Sequence, residues 1–143
     1  MQNGRERQLA VQCWLRLARV YQQIDSDSAQ RFRSHKLSTA QFDVLVQIGS
    51  HAGITQQELA ESLLVTKGNI SQLIGRMERD GLVARRHEGR RNCLELTAAG
   101  RSLYDAVVPE QEAAIDTIFD PLQPDERRIL LDLLRRIDRS RRR

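Results

Sequence analysis

Residues 55–91 read TQQELAESLLVTKGNISQLIGRMERDGLVARRHEGRR, and this stretch decides the fold. Its first part predicts two short helices joined by a tight turn. Its end predicts a hairpin whose tip, His87-Glu88-Gly89-Arg90-Arg91, carries a pair of arginines. Two helices in a tight turn followed by a basic two-stranded ribbon is the order of a winged helix-turn-helix. In that arrangement a helix offers side chains to the major groove of DNA, and the ribbon tip places a cation over the minor groove.

Three helix starts in this region share one capping pattern. In each, a hydroxyl can accept a backbone N–H at the helix start, and flanking apolar residues pair across the first turn. The three starts are Leu37-Ser38 before Gln41, Ile54-Thr55 before Glu58, and Val65-Thr66 before Asn69. Gln41 and Glu58 would also complete capping boxes. The pattern predicts helices over 39–50, 56–62 and 67–80.

A hairpin is predicted after Gly81, which ends the third of these helices. Residues 82–87 and 90–96 predict two short strands, with Glu88-Gly89 as the two-residue loop. In this register His87 pairs with Arg90, and Val83 pairs with Leu94. The predicted core face consists of Val83, Leu94 and Leu96. The residues predicted to lie toward the tip are Arg85, His87, Arg90 and Asn92. A slip of one residue would exchange the two faces.

Long helices are predicted on both sides of this region. Apolar residues recur at helical spacing from Gln8 to about Phe32, and Thr97 can cap a helix that continues through Pro109 to about residue 119. A last helix is predicted over about 125–139, preceded by Pro124. The chain is therefore predicted to be mainly α with a small β-hairpin wing. The predicted winged helix-turn-helix domain is 37–97, and the predicted helical dimerisation region is 1–36 with 98–143, because the first and last helices have apolar faces broader than one small domain needs.

Composition excludes several classes of protein. The formal net charge is +4, and of 23 cationic residues only Lys36 and Lys67 are lysines. Arginine suits phosphates and guanine edges, but genomic base composition explains such an excess equally well, so the arrangement of the arginines must decide. Two distant cysteines, a polar start and short apolar runs predict a cytoplasmic chain with no disulfide and no membrane span.

No enzyme class fits the sequence. It has three histidines, no cysteine–histidine metal spacing, no glycine-rich phosphate loop and no nucleophile elbow. The expectation is therefore no catalytic residue, no cofactor and no metal.

The second helix of the helix-turn-helix is the predicted reading helix. Its buried stripe is Ile70, Leu73, Ile74 and Met77, at spacing i, i+3, i+4, i+7. Asn69 and Gln72 have the amide geometry for adenine, and Arg76 suits guanine or phosphate. The alternative is an ordinary solvated helix face. The full set of predicted DNA contacts is Ser38, Thr39, Thr55, Gln56, Thr66, Lys67, Gly68, Asn69, Ser71, Gln72, Arg76, Arg85, Arg86, Arg90 and Arg91.

The region 37–100 resembles the MarR (multiple antibiotic resistance regulator) family of winged-helix regulators. The resemblance is carried by Leu37-Ser38-Thr39-Ala40-Gln41-Phe42, Gln57-Glu58-Leu59-Ala60, Val65-Thr66-Lys67-Gly68-Asn69-Ile70-Ser71, Arg76-Met77-Glu78-Arg79-Asp80-Gly81-Leu82-Val83 and Leu96-Thr97-Ala98-Ala99-Gly100. It implies a homodimer that binds a pseudo-palindromic site on double-stranded DNA, more often as a repressor. The wing departs from the family pattern: its loop is shorter, and Gly89 stands where the family usually has a second acid. Of the two tip arginines, Arg90 is favoured over Arg91 for the minor groove.

The resemblance also implies a small aromatic ligand that alters DNA affinity. Its candidate lining residues are Trp14, Tyr21, Phe42 and His51, although ordinary core or surface is the preferred interpretation of each. Cys13 resembles the first-helix cysteine of a redox-sensing branch, although a buried structural cysteine is the preferred interpretation. A second alternative is a helical dimer that acts through a protein partner without DNA binding. The arginine-rich C-terminus is expected to meet solvent rather than DNA.

Overall fold

The computed structural model describes residues 2–63 and 67–142, and it contains six helices and one hairpin in this part of the chain. The elements in chain order are α1 (Gln2–Ser34), α2 (Thr39–Ser50), α3 (Gln56–Leu63), α4 (Lys67–Arg79), β1 (Val83–Glu88), β2 (Arg91–Leu96), α5 (Ala98–Ile118) and α6 (Pro124–Arg141). The fold class predicted from the sequence is confirmed. The helix α1 begins six residues earlier than predicted, and the other helix ends differ by at most two residues.

The chain divides into two compact units, Met1–Gln111 and Glu112–Arg143. The first unit holds the core, which α2, α3, α4 and the hairpin build together. Its largest fully buried side chains are Phe32, Leu45, Ile48, Leu59, Ile70, Ile74, Met77 and Leu94. Phe32 brings the C-terminal end of α1 into this core and stacks on Phe42 of α2, with ring centroids 4.1 Å apart. The second unit contains the end of α5 and all of α6.

Local hydrogen bonds define the helix ends. The predicted capping box at α2 is confirmed: Ser38 Oγ accepts from the Gln41 backbone, and Gln41 Oε1 accepts from the Ser38 backbone. At α3, Thr55 Oγ1 accepts from the Glu58 backbone, but it also donates to the Glu58 side chain, so only half of a capping box forms. The third predicted start, Val65-Thr66, lies outside the described residues.

Gly81 ends α4 as predicted, with a φ of 76°. The Leu82 N–H reaches back to the Met77 carbonyl, and the Gly81 N–H reaches the Glu78 carbonyl. The next helix begins against this turn, because Thr97 Oγ1 donates to the Gly81 carbonyl and accepts from the Gly100 N–H. A β-carbon at Gly100 would collide with the Leu82 carbonyl oxygen, so α5 approaches the end of α4 at a distance that only glycine permits.

The hairpin register differs from the prediction. Val83 pairs with Leu96 and His87 pairs with Asn92, so the loop is Gly89-Arg90 rather than Glu88-Gly89. Gly89 has a φ of 62°, and Arg90 is not among the positive-φ residues. That sign pattern belongs to a type II′ turn, which needs glycine at the first central position. The predicted loop would have required a positive φ at Glu88, which disfavours it. The partners shift by two residues, so the faces of the strands are unchanged.

A short contact that the sequence did not reveal joins β2 to the start of α3. Thr55 forms an isolated antiparallel bridge with Cys93, and the Leu94 N–H donates to the Ile54 carbonyl at 2.8 Å. This third partner covers β2 on the side away from β1. Cys93 and Leu94 are both buried, although the predicted alternation made only one of the two faces apolar.

The first and last helices of the chain, α1 and α6, carry many exposed apolar side chains. On α1 these are Leu9, Val11, Trp14, Leu15, Leu17, Val20 and Tyr21. On α6 they are Ile129, Leu131, Leu133, Leu134 and Ile137, and no residue in the described span of this helix is buried. No helix in the described ranges is long and apolar enough to cross a membrane.

Candidate nucleic-acid interface

The two sides of α4 have different environments. Ile70, Ile74 and Met77 are fully buried and Leu73 is partly buried, so the predicted stripe is the core side of the helix. The side chains on the other side are exposed, and they are Asn69, Ser71, Gln72, Arg76 and Arg79. Lys67 and Gly68 are the first two residues of α4, and their side chains lie outside the described part. Thr66 lies wholly outside it. The exposed side of α4 therefore presents amides, a hydroxyl and guanidinium groups that can bond to base edges or phosphates.

Three of the four predicted DNA contacts at the starts of α2 and α3 have side-chain partners within the chain. The Ser38 and Thr55 hydroxyls cap their own helices. Gln56 accepts a hydrogen bond from Arg85 at 3.0 Å through its side-chain oxygen. Thr39 is half-buried at the first position of α2. These residues still mark two helix N-termini, where backbone N–H groups favour an anion.

Three of the four wing arginines are paired with carboxylates of the same chain. Arg85 donates through Nε to Glu78 at 2.6 Å. Arg86 lies 2.8 Å from Glu88 and 3.8 Å from Glu95. Arg91 donates through Nη2 to Glu58 at 2.7 Å. Each pair offsets the positive charge that the sequence assigned to the wing.

Arg90 differs from the other three. It occupies the second of the two central positions of the turn and is exposed. Its side chain makes no hydrogen bond or ion pair with any residue in the ranges 2–63 and 67–142. Its guanidinium therefore keeps all of its donors and its full charge available. This favours Arg90 over Arg91 as the cation at the wing tip.

A polar groove of about 400 Å³ lies between the start of α3 and the wing tip. Its lining residues are Thr55, Gln56, Gln57, Glu58, Glu61, Arg90, Arg91 and Asn92. The sequence pattern indicates a capping role for Glu58 and no role for Glu78. Their contacts with Arg91 and Arg85 join residues 33 and 7 positions apart, and no local pattern indicates such pairs.

The candidate ligand-lining residues occupy separate settings. Trp14 and Tyr21 are 63% and 66% exposed on α1, whereas Phe42 packs against Phe32 at the core. His51 is exposed at the C-terminal end of α2, where its Nδ1 lies 3.2 Å from the Gln47 carbonyl oxygen.

The expectation that Cys13 is buried is wrong for this chain, because Cys13 is exposed on α1 and only Cys93 is buried. Within the described residues, no three His, Cys, Asp or Glu side chains are grouped as metal ligands.

Comparison with known proteins agrees with this geometry. The model of the MarR family matches residues 35–91. An uncharacterized HTH-type transcriptional regulator of Bacillus anthracis is 37% identical over 125 residues, which cover 87% of this chain and 85% of the relative. Its similarity extends well beyond the winged region into the flanking helices.

Two solved structures are also similar. A MarR family transcriptional regulator from Listeria monocytogenes, complexed with 26mer DNA, has a TM-score of 0.79 at 24% identity and covers 89% of this chain and 87% of its own. Bordetella bronchiseptica BpsR, whose DNA binding is regulated by 6-hydroxynicotinic acid, has a TM-score of 0.76 at 27% identity and covers 89% and 98%. These relatives are regulators and not enzymes. The chain belongs to the MarR family of winged-helix, DNA-binding transcriptional regulators.

Proposed function

We propose that this chain is a transcriptional repressor that binds a pseudo-palindromic operator as a homodimer and is released by a small aromatic ligand. Residues 37–97 would bind the DNA, and residues 1–36 with 98–143 would form the dimer. The protein would act in the cytoplasm. The observation that carries the proposal is the exposed polar side of α4, which lies opposite the buried stripe and is accompanied by an arginine at the wing tip that has no partner in the described residues.

The reading helix would contact bases through three side chains. Asn69 and Gln72 match the donor and acceptor of adenine, and Arg76 matches the two acceptors of guanine. Gly68, Ser71 and Gly75 are small, which favours a close approach of α4 to the groove floor. Lys67, Thr66 and the starts of α2 and α3 would bind phosphates and set the register of the helix on the duplex.

The wing would contribute mainly through Arg90. A guanidinium inserted into a narrow minor groove gains from the strong negative potential there. Arg86 and Arg91 are exposed enough to exchange a carboxylate for a phosphate, but each would leave a glutamate behind.

The exposed apolar residues of α1 and α6 support the dimer. Trp14, Tyr21 and Ile129 are each about 60% exposed or more, and large apolar side chains in such numbers favour burial against a partner. A symmetric dimer places two reading helices about one helical turn of DNA apart, which is why the operator would be pseudo-palindromic. The ligand proposal is supported by BpsR, whose DNA binding responds to a small aromatic acid.

The test begins with the DNA. Duplexes selected from a random pool by the full-length protein, together with its own upstream region, are titrated by fluorescence anisotropy against random duplex across a salt series. Selective binding at two protomers per site, weakened by rising salt, is the expected result. Equal weak binding to all duplexes would contradict operator recognition, and no binding at low salt would contradict the function.

Base reading is tested by two substitutions on α4. Gln72→Ala and Arg76→Ala are each expected to reduce the discrimination between the selected and random duplexes by about 1–3 kcal/mol. Equal losses on both duplexes would instead make these residues phosphate contacts.

A further inference from the structure

We infer that Arg85 is a positioning residue, which fixes the wing relative to the reading helix and does not bind DNA. This inference rests on the proposed function. The evidence is its pair of contacts: Nε donates to Glu78 at 2.6 Å, and Nη1 donates to Gln56 at 3.0 Å. Glu78 lies in the last turn of α4, Gln56 is the first residue of α3, and Arg85 lies on β1. One guanidinium thus joins both helices of the helix-turn-helix to the hairpin.

The geometry makes Arg85 unsuited to a phosphate. Its side chain and that of Glu78 are 30% and 32% exposed, so the pair is partly shielded from water. A phosphate that took the Nε donor would displace the Glu78 carboxylate and leave it facing the DNA backbone without a partner. A phosphate bound to the remaining Nη donors would lie beside that carboxylate, and the repulsion between the two anions would offset the gain.

Arg86 provides a contrast on the same strand. Its two carboxylate neighbours, Glu88 and Glu95, both belong to the hairpin. These contacts stabilise the hairpin itself but join it to no helix. The Arg91–Glu58 pair does join β2 to α3, and it acts near the Thr55–Cys93 bridge that already links those segments. Of the wing arginines, Arg85 alone has a described bond to the reading helix.

A rigid connection between β1 and α4 has a functional consequence. The reading side chains and Arg90 must reach two grooves of one duplex at the same time. If the hairpin could move relative to α4, fixing its position when DNA binds would lower the affinity. The Arg85 contacts hold the hairpin before the DNA arrives.

The experiment removes the carboxylate rather than the arginine. For a phosphate-binding Arg85, Glu78→Ala frees the guanidinium and removes a negative charge, so affinity for the selected duplex rises. For a positioning Arg85, the same variant lowers affinity by about tenfold or more, the effect expected for one lost charge-assisted hydrogen bond. The matched control is Glu61→Ala, which deletes a glutamate of α3 that has no described arginine partner and should not lower affinity.

The double variant Arg85→Ala/Glu78→Ala separates the two roles again, since it keeps the parent's net charge. Positioning predicts the same loss as Glu78→Ala alone and an unchanged slope of log affinity against log salt. A phosphate contact predicts a slope reduced by about one ion. Tighter or unchanged binding by Glu78→Ala, or that reduced slope, would overturn the inference.

Two further measurements test the inference if the Glu78→Ala variant does not fold or if the parent protein binds no DNA. If Glu78→Ala does not fold, as judged by circular dichroism, Glu78→Gln retains the size of the side chain and should lower affinity in the same direction. If the parent protein binds no DNA, the proposed function is contradicted, but the contact between Arg85 and Glu78 is not. Melting temperatures of the two single variants and the double variant then decide, because bonded partners give non-additive losses and unbonded ones give additive losses.

Discussion

At the scale of single residues, Arg90 is the wing arginine whose positive charge is offset by no described residue. The other wing arginines face carboxylates, whereas Arg90 has no partner in the described chain and stands in the turn. We expect Arg90→Ala to weaken binding to all duplexes and to reduce the salt slope by about one ion. Anisotropy titrations at four or more salt concentrations measure both. Arg5→Ala, which removes a charge from the start of α1, is the control; a slope equal to the parent's in Arg90→Ala would remove the wing tip from the interface.

Asp43 is a residue whose charge disfavours the folded state. Partial burial raises the pKa of its carboxyl above the ordinary value of 3.8, and repulsion from Asp25 raises it further. The folded protein therefore holds the proton more tightly than the unfolded chain does. Stability falls as pH rises from about 3.8 through the folded pKa, and the full penalty is present at neutral pH.

The substitution Asp43→Asn should remove this penalty. We expect it to raise the melting temperature by about 1–2 °C at pH 7 and to have a much smaller effect near pH 3.5. Asp25→Asn should give a smaller gain, because repulsion is the lesser cause. Thermal melts from pH 3.5 to 8 test this, and a gain that does not change with pH would contradict the assignment.

At the scale of elements, the junction between α4 and α5 depends on Gly100. A β-carbon there would meet the backbone of Leu82, which cannot move aside as a side chain end could. We expect Gly100→Ala to lower the free energy of unfolding by about 2–3 kcal/mol, as overpacking does. Gly4→Ala, in an open part of α1, should instead raise it by up to about 1 kcal/mol. Urea denaturation of both variants measures the difference, and similar stabilities would show that the junction relaxes.

The elements also differ in how far the sequence predicts them. Local signals located the helices, because a hydroxyl such as Ser38 and a glycine such as Gly81 act on backbone atoms a few residues away. The sequence predicts the hairpin, but the loop lies one residue later than predicted because Gly89 takes the first central position of the turn, which needs a positive φ. The bridge between Thr55 and Cys93 and the contact between Arg85 and Glu78 depend on tertiary packing. The sequence therefore indicated which side chains face outward but not which arginines are neutralised.

At the scale of the whole molecule, the exposed apolar residues of α1 and α6 predict association between copies of the chain. We expect sedimentation velocity to give twice the monomer mass at micromolar concentration. Ile129→Glu places a charge at a position 59% exposed in the single chain, and it should weaken association at least about tenfold because a buried charge is costly. Ala52→Glu, at an exposed position in the turn between α2 and α3 and outside the proposed dimerisation region, is the matched control. A parent protein that sediments as a monomer, or equal association by both variants, would contradict the assignment.

The separation of the two sides of α4 has a consequence for how this protein can diversify. Ile70, Ile74 and Met77 carry the stability of the helix, and none of them reaches the outer surface. Ser71, Gln72 and Arg76 are exposed and contribute little to the core. Mutations on the outer side can therefore accumulate without loss of folding, so new operator preferences are accessible by single steps. A library randomised at these three positions should consist largely of folded proteins, which makes α4 a starting point for selecting regulators of chosen specificity.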